Sequence, residues 1–329
     1  MKATLHNGKQ GYEGLIYGES NEPLVKAGEV KVKLKTAGLN HRDLFVLNSH
    51  TEQVPLIIGS DGAGIVTEIG EGVTTIQVDQ EVVIIPSLGW KKRSSAPPKG
   101  FEILGVPDNG TFAEFIVLPE ENIAPKPDHL NWEQAGVLGL GALTGHRALF
   151  TKGNLQAGQT VFIPGIGSGV ATFMLQMAKA VGARVIVSSR SAEKREKALQ
   201  LGADLTIASE GDWRQGLQGE SIDLVIDSVG EATMQKSIDV LKRGGTIVTF
   251  GASAGEIFSL NLREFFYKQY NLLGTTMGSV EEFHDMLADI QQSKWAPVID
   301  SVYSLENTAQ ALHRLKEGKQ FGKIALKIS

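Results

Sequence analysis

A cluster of glycines is the clearest chemical signal in the sequence, within the stretch VFIPGIGSGVATF at residues 161–173. Gly165, Gly167 and Gly169 alternate directly after an apolar run, and a segment with helical spacing follows them. Backbone N–H groups at a helix N-terminus attract phosphate, and glycine lets a ligand approach the backbone without a Cβ clash. Although the strict spacing G-x-G-x-x-G fits no register here, the setting predicts a nucleotide-binding loop. A plain strand-to-helix turn is the alternative.

The end of the next predicted strand indicates which nucleotide would bind. An NAD site usually has Asp or Glu there, which bonds to the ribose 2′-hydroxyl. This chain has Ser188, Ser189 and Arg190 instead, with no carboxylate until Glu193. Lys194 lies one helical turn further on. Arginine and serine donate strong hydrogen bonds to a 2′-phosphate, so the pattern favours NADPH over NADH, with solvated cations at a helix start as the alternative.

The glycine loop and the residues after the next strand need alternating strands and helices to position them. From residue 125 onward, runs rich in Val and Ile alternate with amphipathic segments, in the order TVFIP, GVATFMLQMAKAVG, RVIVSS, SAEKREKALQLG, DLVIDSV, ATMQKSIDVLKRGG and TIVTFG. Strands that are apolar throughout are covered on both faces, and their crossover connections are right-handed. The predicted fold class is therefore α/β, with a doubly wound parallel sheet of the Rossmann type over residues 125–265.

The rest of the chain predicts a second domain. Residues 1–124 contain short strands and turns; EVKVKLKTAGLN, for example, alternates charged and apolar residues as a half-buried strand does. Residues 89–110 are rich in Lys, Pro, Gly and Ser, which predicts an exposed loop. Two helical segments and a closing strand, FGKIALKIS, follow residue 266. We assign residues 1–124 and 266–329 to one discontinuous domain, into which the nucleotide-binding domain is inserted.

The composition of the chain limits the kinds of partner that the protein can bind and the compartment in which we expect it. The chain has 329 residues, a net charge of −5 and 42% hydrophobic residues, which indicates a globular protein without bulk attraction to nucleic acid or an anionic membrane. No apolar run approaches the roughly 20 residues of a membrane span, and the N-terminus lacks the apolar core of a signal peptide. The absence of cysteine excludes disulfides, cysteine-ligated zinc and a cysteine nucleophile. We expect a cytoplasmic protein with a small-molecule partner, and a solvated loop for the basic run Lys91, Lys92 and Arg93.

Six further segments match a known family in order along the chain. They are TAGLNHRDL, GSDGAGIVTEIGEGV, GALTGHRAL, DLVIDSVG, LKRGGTIVTFGAS and FGKIAL. Together they resemble the medium-chain dehydrogenase/reductase superfamily, which is also called alcohol dehydrogenase-like, and within it the zinc-free quinone oxidoreductase-like branch. The glycine loop departs from that branch's form A-x-x-G-x-x-G, because Gly165, Ser168 and Ala171 stand at its three fixed positions. The residues there remain small, so we keep the assignment.

The resemblance implies an architecture and an assembly. A GroES-like, β-rich catalytic domain would accompany the Rossmann domain, with the active site in the cleft between them. The usual assembly is a homodimer or homotetramer, in which two Rossmann sheets join edge to edge. The segment GASAGEIFSLN, residues 251–261, occupies the place of that edge strand.

The resemblance also locates the positions where a catalytic zinc would bind. Zinc-dependent members use a Cys, a His with a Glu beside it, and a third Cys or Asp. The matching positions are Asn40, Ser60 with Asp61, and Leu140. None of them offers a thiolate or an imidazole, and a catalytic zinc needs three protein ligands. We therefore expect no functional metal, although His41, Asp43 and His50 lie close together in the sequence.

Without a metal, conjugate reduction is the least demanding reaction for this cofactor. Hydride passes to the β-carbon of an enone or quinone, and negative charge develops on a distant oxygen that hydrogen-bond donors stabilise. The family places an Asn-x-x-Asp pair after a strand, here Asn40 and Asp43, and Asn40 is the candidate donor to the carbonyl or the nicotinamide ribose. His41 is the candidate proton relay, and Phe45 lies where some relatives use a tyrosine. The alternative is that Asn40 and Asp43 are turn residues bonded to local backbone.

Further cofactor contacts follow from the resemblance. Thr144 lies in a helix that lines the cofactor, Phe250 ends a sheet strand, and Met277 lies in a segment beside the nicotinamide carboxamide. Lys323, with Phe321 and Gly322, lies in the C-terminal cofactor contact. The predicted cofactor-binding residues are Asn40, Thr144, Gly165, Gly167, Ser168, Gly169, Val170, Ser188, Ser189, Arg190, Lys194, Phe250, Gly251, Ala252, Thr276, Met277, Gly278 and Lys323.

The sequence thus predicts an NADPH-dependent, zinc-independent oxidoreductase that acts on an α,β-unsaturated carbonyl or a quinone. Two alternatives stay open at this point. One is an alcohol or carbonyl dehydrogenase of the same superfamily, and the other is a non-catalytic sensor that binds NADPH.

Overall fold

The chain folds into two compact units in the computed structural model, which describes residues 1–52 and 54–328. One unit comprises Met1–Leu143 and Gly278–Ser329, and the other comprises Thr144–Met277. We call them the discontinuous unit and the inserted unit. Within the described residues, no helix combines the length and apolar character needed to cross a membrane.

The strands and helices are as follows. The strands are β1 Lys2–His6, β2 Leu15–Glu19, β3 Glu29–Gly38, β4 Leu56–Ile57, β5 Asp61–Ile69, β6 Glu81–Ile84, β7 Ser87–Leu88, β8 Glu102–Ile103, β9 Phe115–Pro119, β10 Ile123–Pro125, β11 Thr160–Ile163, β12 Arg184–Ser189, β13 Leu205–Ala208, β14 Ile222–Asp227, β15 Leu241–Thr249, β16 Asn271–Gly274, β17 Ile299–Ser304 and β18 Lys323–Lys327. The helices are α1 His41–Ser49, α2 Trp132–Gly136, α3 Gly139–His146, α4 Gly169–Ala180, α5 Ala192–Gln200, α6 Trp213–Gly216, α7 Glu231–Val240, α8 Leu262–Tyr267, α9 Val280–Ser293 and α10 Thr308–Glu317. Short 3₁₀ turns cover Gly11–Gly14, Glu120–Asn122 and Leu305–Asn307, and a π-helical segment covers Arg147–Lys152.

The discontinuous unit is built around a sheet in the order β10-β6-β5-β3-β18-β17, with β9 also paired to β3. A three-stranded sheet, β2-β1-β4, and the short pair β7-β8 complete its strands. Strand β3 forms as its alternating sequence predicts, because Val30, Val32 and Leu34 are fully buried in the core. Strand β3 is central in this sheet, because it pairs with β5, β9 and β18.

A second core in the same unit determines where the functional residues lie. Leu39, Val46 and Leu312 pack together, which holds α1 and α10 against the end of the sheet. Strand β18 runs antiparallel to β3, with Ala325 opposite Gly38. This register places the beginning of β18 beside the junction between β3 and α1.

The inserted unit confirms the predicted doubly wound parallel sheet. Its six strands are all parallel, in the order β13-β12-β11-β14-β15-β16, with helices between successive strands. The chain moves outward from β11 on one side and resumes at β14 on the other, so the direction of strand order reverses between β11 and β14. In open sheets of this kind, ligands bind at the carboxyl ends of the strands near that point.

The limits of the two units differ from the predicted domain limits at 124/125 and 265/266. Helix α2 packs on β3, and a Cβ built on Gly136 would lie 2.8 Å from the Thr36 side chain. This close approach places residues up to Leu143 with the discontinuous unit. At the other limit, β16 pairs with β15 and extends the parallel sheet, so residues up to Met277 belong to the inserted unit.

The prediction of an edge strand at residues 251–261 is wrong. No strand forms there, and the last strand of the sheet is β16. The backbone of this segment bonds to the start of α7 instead: the Glu231 N–H donates to Gly255 O at 3.0 Å, and the Ala254 N–H donates to Val229 O at 2.8 Å. Gly255 adopts a φ of 116°, which favours glycine and bends the chain away from an extended path.

The predicted loop at residues 89–110 is exposed from 91 to 100, but its two ends are ordered by packing. Trp90 and Leu104 are buried, and β8 pairs with β7. The basic run within it is paired with acids: Lys91 with Glu121 at 2.5 Å, Lys92 with Glu281 at 3.8 Å, and Arg93 with Asp285. Pairing removes most of the local positive potential that a polyanion would need.

Candidate functional site

Asn40 lies at the junction where β3 ends and α1 begins, as the N-cap residue of α1. Its N–H donates to Asp43 Oδ2 at 2.8 Å, and the Asp43 N–H donates to Asn40 O at 3.0 Å. These two bonds close the first turn of α1 and satisfy N–H groups that have no partner within the helix. The Asp43 carboxylate is thus bonded to local backbone, and Asn40 with Asp43 has the arrangement of a capping box, as the turn interpretation predicts.

The Asn40 side chain faces Lys323, which enters from β18. The Lys323 ammonium donates to three acceptors: Leu39 O at 2.7 Å, Asn40 Oδ1 at 2.7 Å and Asp61 Oδ2 at 2.9 Å. Lys323 is only 4% exposed and Asp61 is fully buried. An ammonium has three donors and no acceptor, so all of its hydrogen-bonding capacity is used within this unit. The sequence placed Lys323 at a cofactor contact and did not pair it with Asn40 or Asp61.

Asp61 anchors the cluster from the start of β5. Its Oδ1 accepts the Leu140 N–H at 2.6 Å, while its Oδ2 accepts Lys323. Asp61 lies directly opposite Gly38 in the pairing of β3 with β5. Four separate parts of the chain therefore meet at this point, and each contributes at least one polar group.

Two buried polar atoms in the cluster lack a hydrogen-bond partner among the residues that the structure describes. They are Asn40 Nδ2 and Asp43 Oδ1. Burial raises the pKa of Asp43 to about 7 by disfavouring the charged carboxylate, and the neighbouring Asp61 charge raises it further, against the opposing effect of the Asn40 N–H. The carboxyl group therefore changes protonation state near neutral pH.

His41 and Arg42, on the first turn of α1, have different roles. The pKa of His41 is lowered because surrounding atoms displace water from the ring and because the Lys323 charge repels the protonated form, although part of the residue stays exposed. This shift favours the neutral form of its imidazole. The Arg42 guanidinium donates to the carbonyls of Ile103 at 3.1 Å and Val106 at 3.3 Å, so it holds the loop instead of offering donors to a substrate.

The residues at the expected zinc positions do not fit a zinc ion. The Ser60 hydroxyl donates to Leu104 O at 2.8 Å, and Leu140 contributes only its backbone N–H to the cluster. The Lys323 ammonium already lies within 3 Å of Asn40 Oδ1 and of Asp61 Oδ2, beside Ser60, where its positive charge would repel a metal. Across residues 1–52 and 54–328, no group of three His, Cys, Asp or Glu side chains could hold a metal ion.

The glycine loop of the inserted unit connects β11 to α4, as predicted. Gly165 has a φ of 79° and Gly167 a φ of 129°, conformations that side chains other than glycine rarely adopt. Ser168 is the N-cap of α4, and its Oγ accepts the Ala171 N–H at 3.2 Å. Gly169 and Val170 form the first turn of the helix. The loop and the helix N-terminus together fit the pyrophosphate of a dinucleotide.

The two serines at the end of β12 support this loop. The Gly165 and Ile166 N–H groups donate to Ser188 O at 3.1 Å and 2.8 Å, and Ser188 Oγ bonds to Ser209 Oγ at 3.1 Å. Ser189 Oγ accepts the Ser191 N–H at 3.2 Å. Both side chains are buried and engaged with the protein, so the cations beyond them remain as the groups suited to a phosphate.

Three cations lie at or just beyond the end of β12. Arg190 is exposed, and the Lys194 side chain covers Gly167, because a Cβ built on that glycine would lie 2.8 Å from Lys194 Cδ. Arg195, which the sequence reasoning missed, donates to Ser189 O at 2.6 Å and holds the strand end. The nearest carboxylate, Glu193, pairs with Lys197 at 2.6 Å. The arrangement fits a phosphate better than a neutral ribose hydroxyl.

The other predicted cofactor residues are divided between the units. Gly251 and Ala252 follow β15 with Phe250, and Thr276 and Met277 follow β16, so these residues lie at the carboxyl edge of the parallel sheet with the glycine loop. The buried Thr144 also belongs to the inserted unit. Gly278 belongs to the discontinuous unit, where its carbonyl accepts the Ser87 hydroxyl at 2.6 Å, and Lys323 lies there also.

Sequence reasoning missed the buried partnership of Asp61 and Lys323. One signal was available: the closing segment FGKIAL places a lysine at the start of an otherwise apolar strand, and a buried lysine needs an acidic partner. The sequence contains 37 acidic residues, however, and nothing in their spacing selects Asp61 as that partner.

Comparisons with known proteins cover the whole chain. Residues 26–128 match the alcohol dehydrogenase GroES-like domain, and residues 169–292 match the zinc-binding dehydrogenase family. The chain is 32% identical over 355 aligned residues to the zinc-type alcohol dehydrogenase-like protein YogA of Leptosphaeria maculans, with 100% of this chain and 98% of that one covered. It is 27% identical to the quinone oxidoreductase of Mus musculus, with 92% and 90% covered. A crystal structure of an NAD-dependent alcohol dehydrogenase superimposes with a TM-score of 0.94 at 34% identity over 100% of both chains.

Proposed function

The chain belongs to the medium-chain dehydrogenase/reductase superfamily of oxidoreductases, and from this premise we propose that it is a zinc-independent reductase that uses NADPH to reduce an α,β-unsaturated carbonyl or a quinone. One observation carries the proposal: the Lys323 ammonium bonds to Asn40, which matches a zinc-ligand position of the superfamily, and to Asp61, which matches the acid beside a second ligand position. A chain with a buried ammonium there requires a reaction that proceeds without a Lewis acid.

The proposed reaction divides the work between the cofactor and the protein. NADPH supplies the hydride to the β-carbon of the acceptor when it is bound. Asn40 Nδ2 donates to the acceptor's carbonyl oxygen, where the negative charge of the enolate develops, and such a donor contributes most where water is excluded. A proton then reaches the α-carbon, or the oxygen of a quinone, with water as its source. His41 is the proposed relay for that proton, because its neutral imidazole can accept and donate.

Asp43 holds the backbone of Asn40 in place. Its Oδ2 accepts the Asn40 N–H and fixes the backbone at the start of α1. With a pKa of about 7 it holds a proton on part of the molecules at neutral pH. Asp43 is thus a second group, in addition to His41, that can carry a proton near Asn40 during turnover.

The choice of NADPH rests on the cations beyond β12. We propose that Arg190 and Lys194 bond to the 2′-phosphate, while the glycine loop receives the pyrophosphate. Charge-assisted hydrogen bonds from arginine and lysine are about twice as strong as neutral ones. The absence of cysteine fits a reducing compartment, and we place the protein in the cytoplasm.

For the assembly, we propose a homodimer or homotetramer through the edge of the parallel sheet, now assigned to β16. The neighbouring surface carries large exposed apolar side chains: Ile257 and Leu262 before α8 and at its start, and Phe266 and Tyr267 at its end. An exposed strand edge beside apolar groups favours association with a second copy. Light scattering coupled to gel filtration measures the number of subunits directly.

The decisive experiment is NADPH oxidation by protein that has been dialysed against a strong chelator and checked for metal by elemental analysis. The acceptors are a small panel of quinones and 2-alkenals, with NADH run in parallel. We expect turnover with NADPH that is unchanged when zinc is added back. Loss of activity after chelation with recovery on zinc addition would contradict the proposal.

A second candidate function is alcohol or carbonyl dehydrogenation, which is favoured by the likeness to a structure named as an NAD-dependent alcohol dehydrogenase. The same protein is assayed for reduction of NADP⁺ and NAD⁺ by primary and secondary alcohols. Alcohol-driven reduction that exceeds enone reduction would select this function. Cofactor binding without turnover of any acceptor would instead favour a sensor.

A further inference from the structure

The orientation of the Asn40 side-chain amide is fixed by chemistry. The two ends of an asparagine amide have nearly the same shape, so a hydrogen-bond network decides which end is oxygen. The partner here is an ammonium, which can only donate, at 2.7 Å. The atom that contacts Lys323 is therefore the oxygen, and the Nδ2 donor must point the other way.

Lys323 cannot release the amide by turning elsewhere. Its other two donors bond to Leu39 O and Asp61 Oδ2, and Asp61 is itself held by the Leu140 N–H. The side chain is 4% exposed, so water does not compete for these bonds. The ammonium is a fixed point of positive charge, and the amide is aligned to it.

The aligned donor has no partner within the described part of the chain. Asn40 is 7% exposed, and its Nδ2 is fully buried without a hydrogen bond. A buried donor left without an acceptor is costly, and most such groups in proteins are satisfied. A bound ligand that places an oxygen at this atom recovers that free energy.

We infer that Lys323 is a positioning residue that holds the Asn40 amide so that Nδ2 donates to the carbonyl oxygen of the acceptor. The ammonium on Oδ1 also polarises the amide and strengthens its N–H as a donor. A buried lysine thereby acts through one asparagine on the oxygen where charge develops, at the position of the metal in zinc-dependent relatives. This inference rests on the proposed reductase function and names the group that supports it.

The first test measures whether Lys323 acts through Asn40. Removing only the lysine leaves the Asp61 charge buried and unpaired, so the main variant is the double substitution Asp61→Asn with Lys323→Met, which removes both charges. It is compared with Asn40→Ala and with the triple variant that combines all three changes. The matched control is Lys31→Met, which removes another buried lysine of the same unit that pairs with Glu22 and Glu68.

We expect kcat for 2-alkenal reduction to fall about 10- to 100-fold in the double variant and at least as far in Asn40→Ala. Because both changes remove the same donor, the triple variant should fall no more than about twofold below Asn40→Ala. The NADPH dissociation constant should stay within about twofold throughout, and Lys31→Met should keep its kcat. Additive losses would show that Lys323 acts independently of Asn40, and a change confined to NADPH binding would place the Nδ2 bond on the cofactor; either result overturns the inference.

A second measurement needs no turnover and separates failure of the inference from failure of the proposed function. The protein is labelled with ¹⁵N and ¹³C asparagine, and the Asn40 side-chain signal is identified by its loss in Asn40→Ala. The Cγ and Nδ2 shifts should change in the double variant and stay unchanged in Lys31→Met. If they change as expected while no enone or quinone is reduced, the reductase function fails but the alignment stands. If they do not depend on Lys323, the inference fails whatever the activity.

Discussion

The two units contain polar groups that are built in opposite ways. In the discontinuous unit, the cluster of Asn40, Asp61 and Lys323 uses side chains from distant parts of the chain, and all of them are buried. In the inserted unit, the glycine loop uses backbone groups from one short segment, and Arg190 beyond it is exposed. One region brings charges out of water, while the other leaves its charges at the surface.

This difference determines what each region contributes. Charges inside the low-dielectric core interact strongly, so the cluster is tied both to folding and to the proposed chemistry. Charges at the surface are screened by water and salt, so the cations beyond β12 should contribute little to stability, and ligand choice is their proposed role. Substitutions in the buried cluster should lower the stability of the protein or change its pH dependence, and those of the exposed cations should change only what it binds.

The largest expected effect is on the buried ion pair. Lys323→Met leaves the Asp61 carboxylate without its cation at full burial, which should lower the free energy of unfolding by about 3–5 kcal/mol. Lys31→Met should lower it less, because Glu22 and Glu68 are about half exposed and regain water. Urea unfolding followed by circular dichroism measures both. Equal losses in the two variants would remove the distinction between the buried cluster and an ordinary ion pair.

The next effect concerns the pH dependence of stability. The pKa of Asp43 is raised to about 7 in the folded protein from 3.8 in the unfolded chain, so the folded state binds more protons between these values. Stability from this group is therefore present at low pH and lost as the pH rises from about 4 to 7, by a few kcal/mol. Asp43→Asn should remove that decline, so its stability relative to the parent improves from pH 5 to pH 8.

The control for this pH effect is the exposed Asp128→Asn in the same unit. It should keep the pH dependence of the parent. Urea unfolding at pH 5, 6, 7 and 8 supplies the comparison, and a parent protein whose stability is flat over this range would refute the raised pKa.

A smaller effect is expected at the glycine loop. Gly167→Ala places a Cβ against Lys194 at a φ of 129°, which should weaken NADPH binding about 10- to 100-fold. Gly158→Ala is the matched control, because that glycine also has a positive φ, of 79°, but no atom within 4 Å of the added Cβ. Both variants should lose about 1 kcal/mol of stability, and only the first should lose affinity in a fluorescence titration.

The smallest effect on the fold is expected from the exposed cations. Arg190→Ala should lower the preference for NADPH over NADH about tenfold and leave the unfolding curve unchanged. The loss should shrink as salt is added, because exposed charges are screened. Lys197→Ala, which removes the partner of Glu193 on the same helix, should keep the cofactor preference. A preference that is unchanged in Arg190→Ala would assign 2′-phosphate binding elsewhere.

The sequence predicted most of the inserted unit because its signals are local. Runs such as TVFIP and RVIVSS form buried parallel strands, and the glycine cluster forms the loop between β11 and α4. Each of these features depends on residues within about fifteen positions of one another. Hydrophobic period and turn chemistry therefore suffice to predict them.

Predictions that needed long-range information were less successful. The segment 251–261 stands where the family resemblance implies an edge strand, but its backbone bonds to the start of α7, and β16 forms the edge. The helix predicted to continue to Gly245 ends at Val240, where β15 begins. In both cases the outcome depends on which backbone groups are near in space, which spacing along the chain does not encode.

The sequence by itself determined the α/β class, the glycine loop between β11 and α4, the residue types at Asn40 and Leu140, and the cations at Arg190 and Lys194. Only the tertiary structure decided that Lys323 meets Asn40 and Asp61. Lys323 lies 283 positions after Asn40 and 262 positions after Asp61, and the pairing of β18 with β3 and of β3 with β5 brings them together. Burial of Asp43 itself raises the pKa of that carboxyl, and the bond from Lys323 aligns the Asn40 amide. The sequence gives the type of each polar residue, whereas its hydrogen-bond partner and its degree of burial are decided only when the sheet forms.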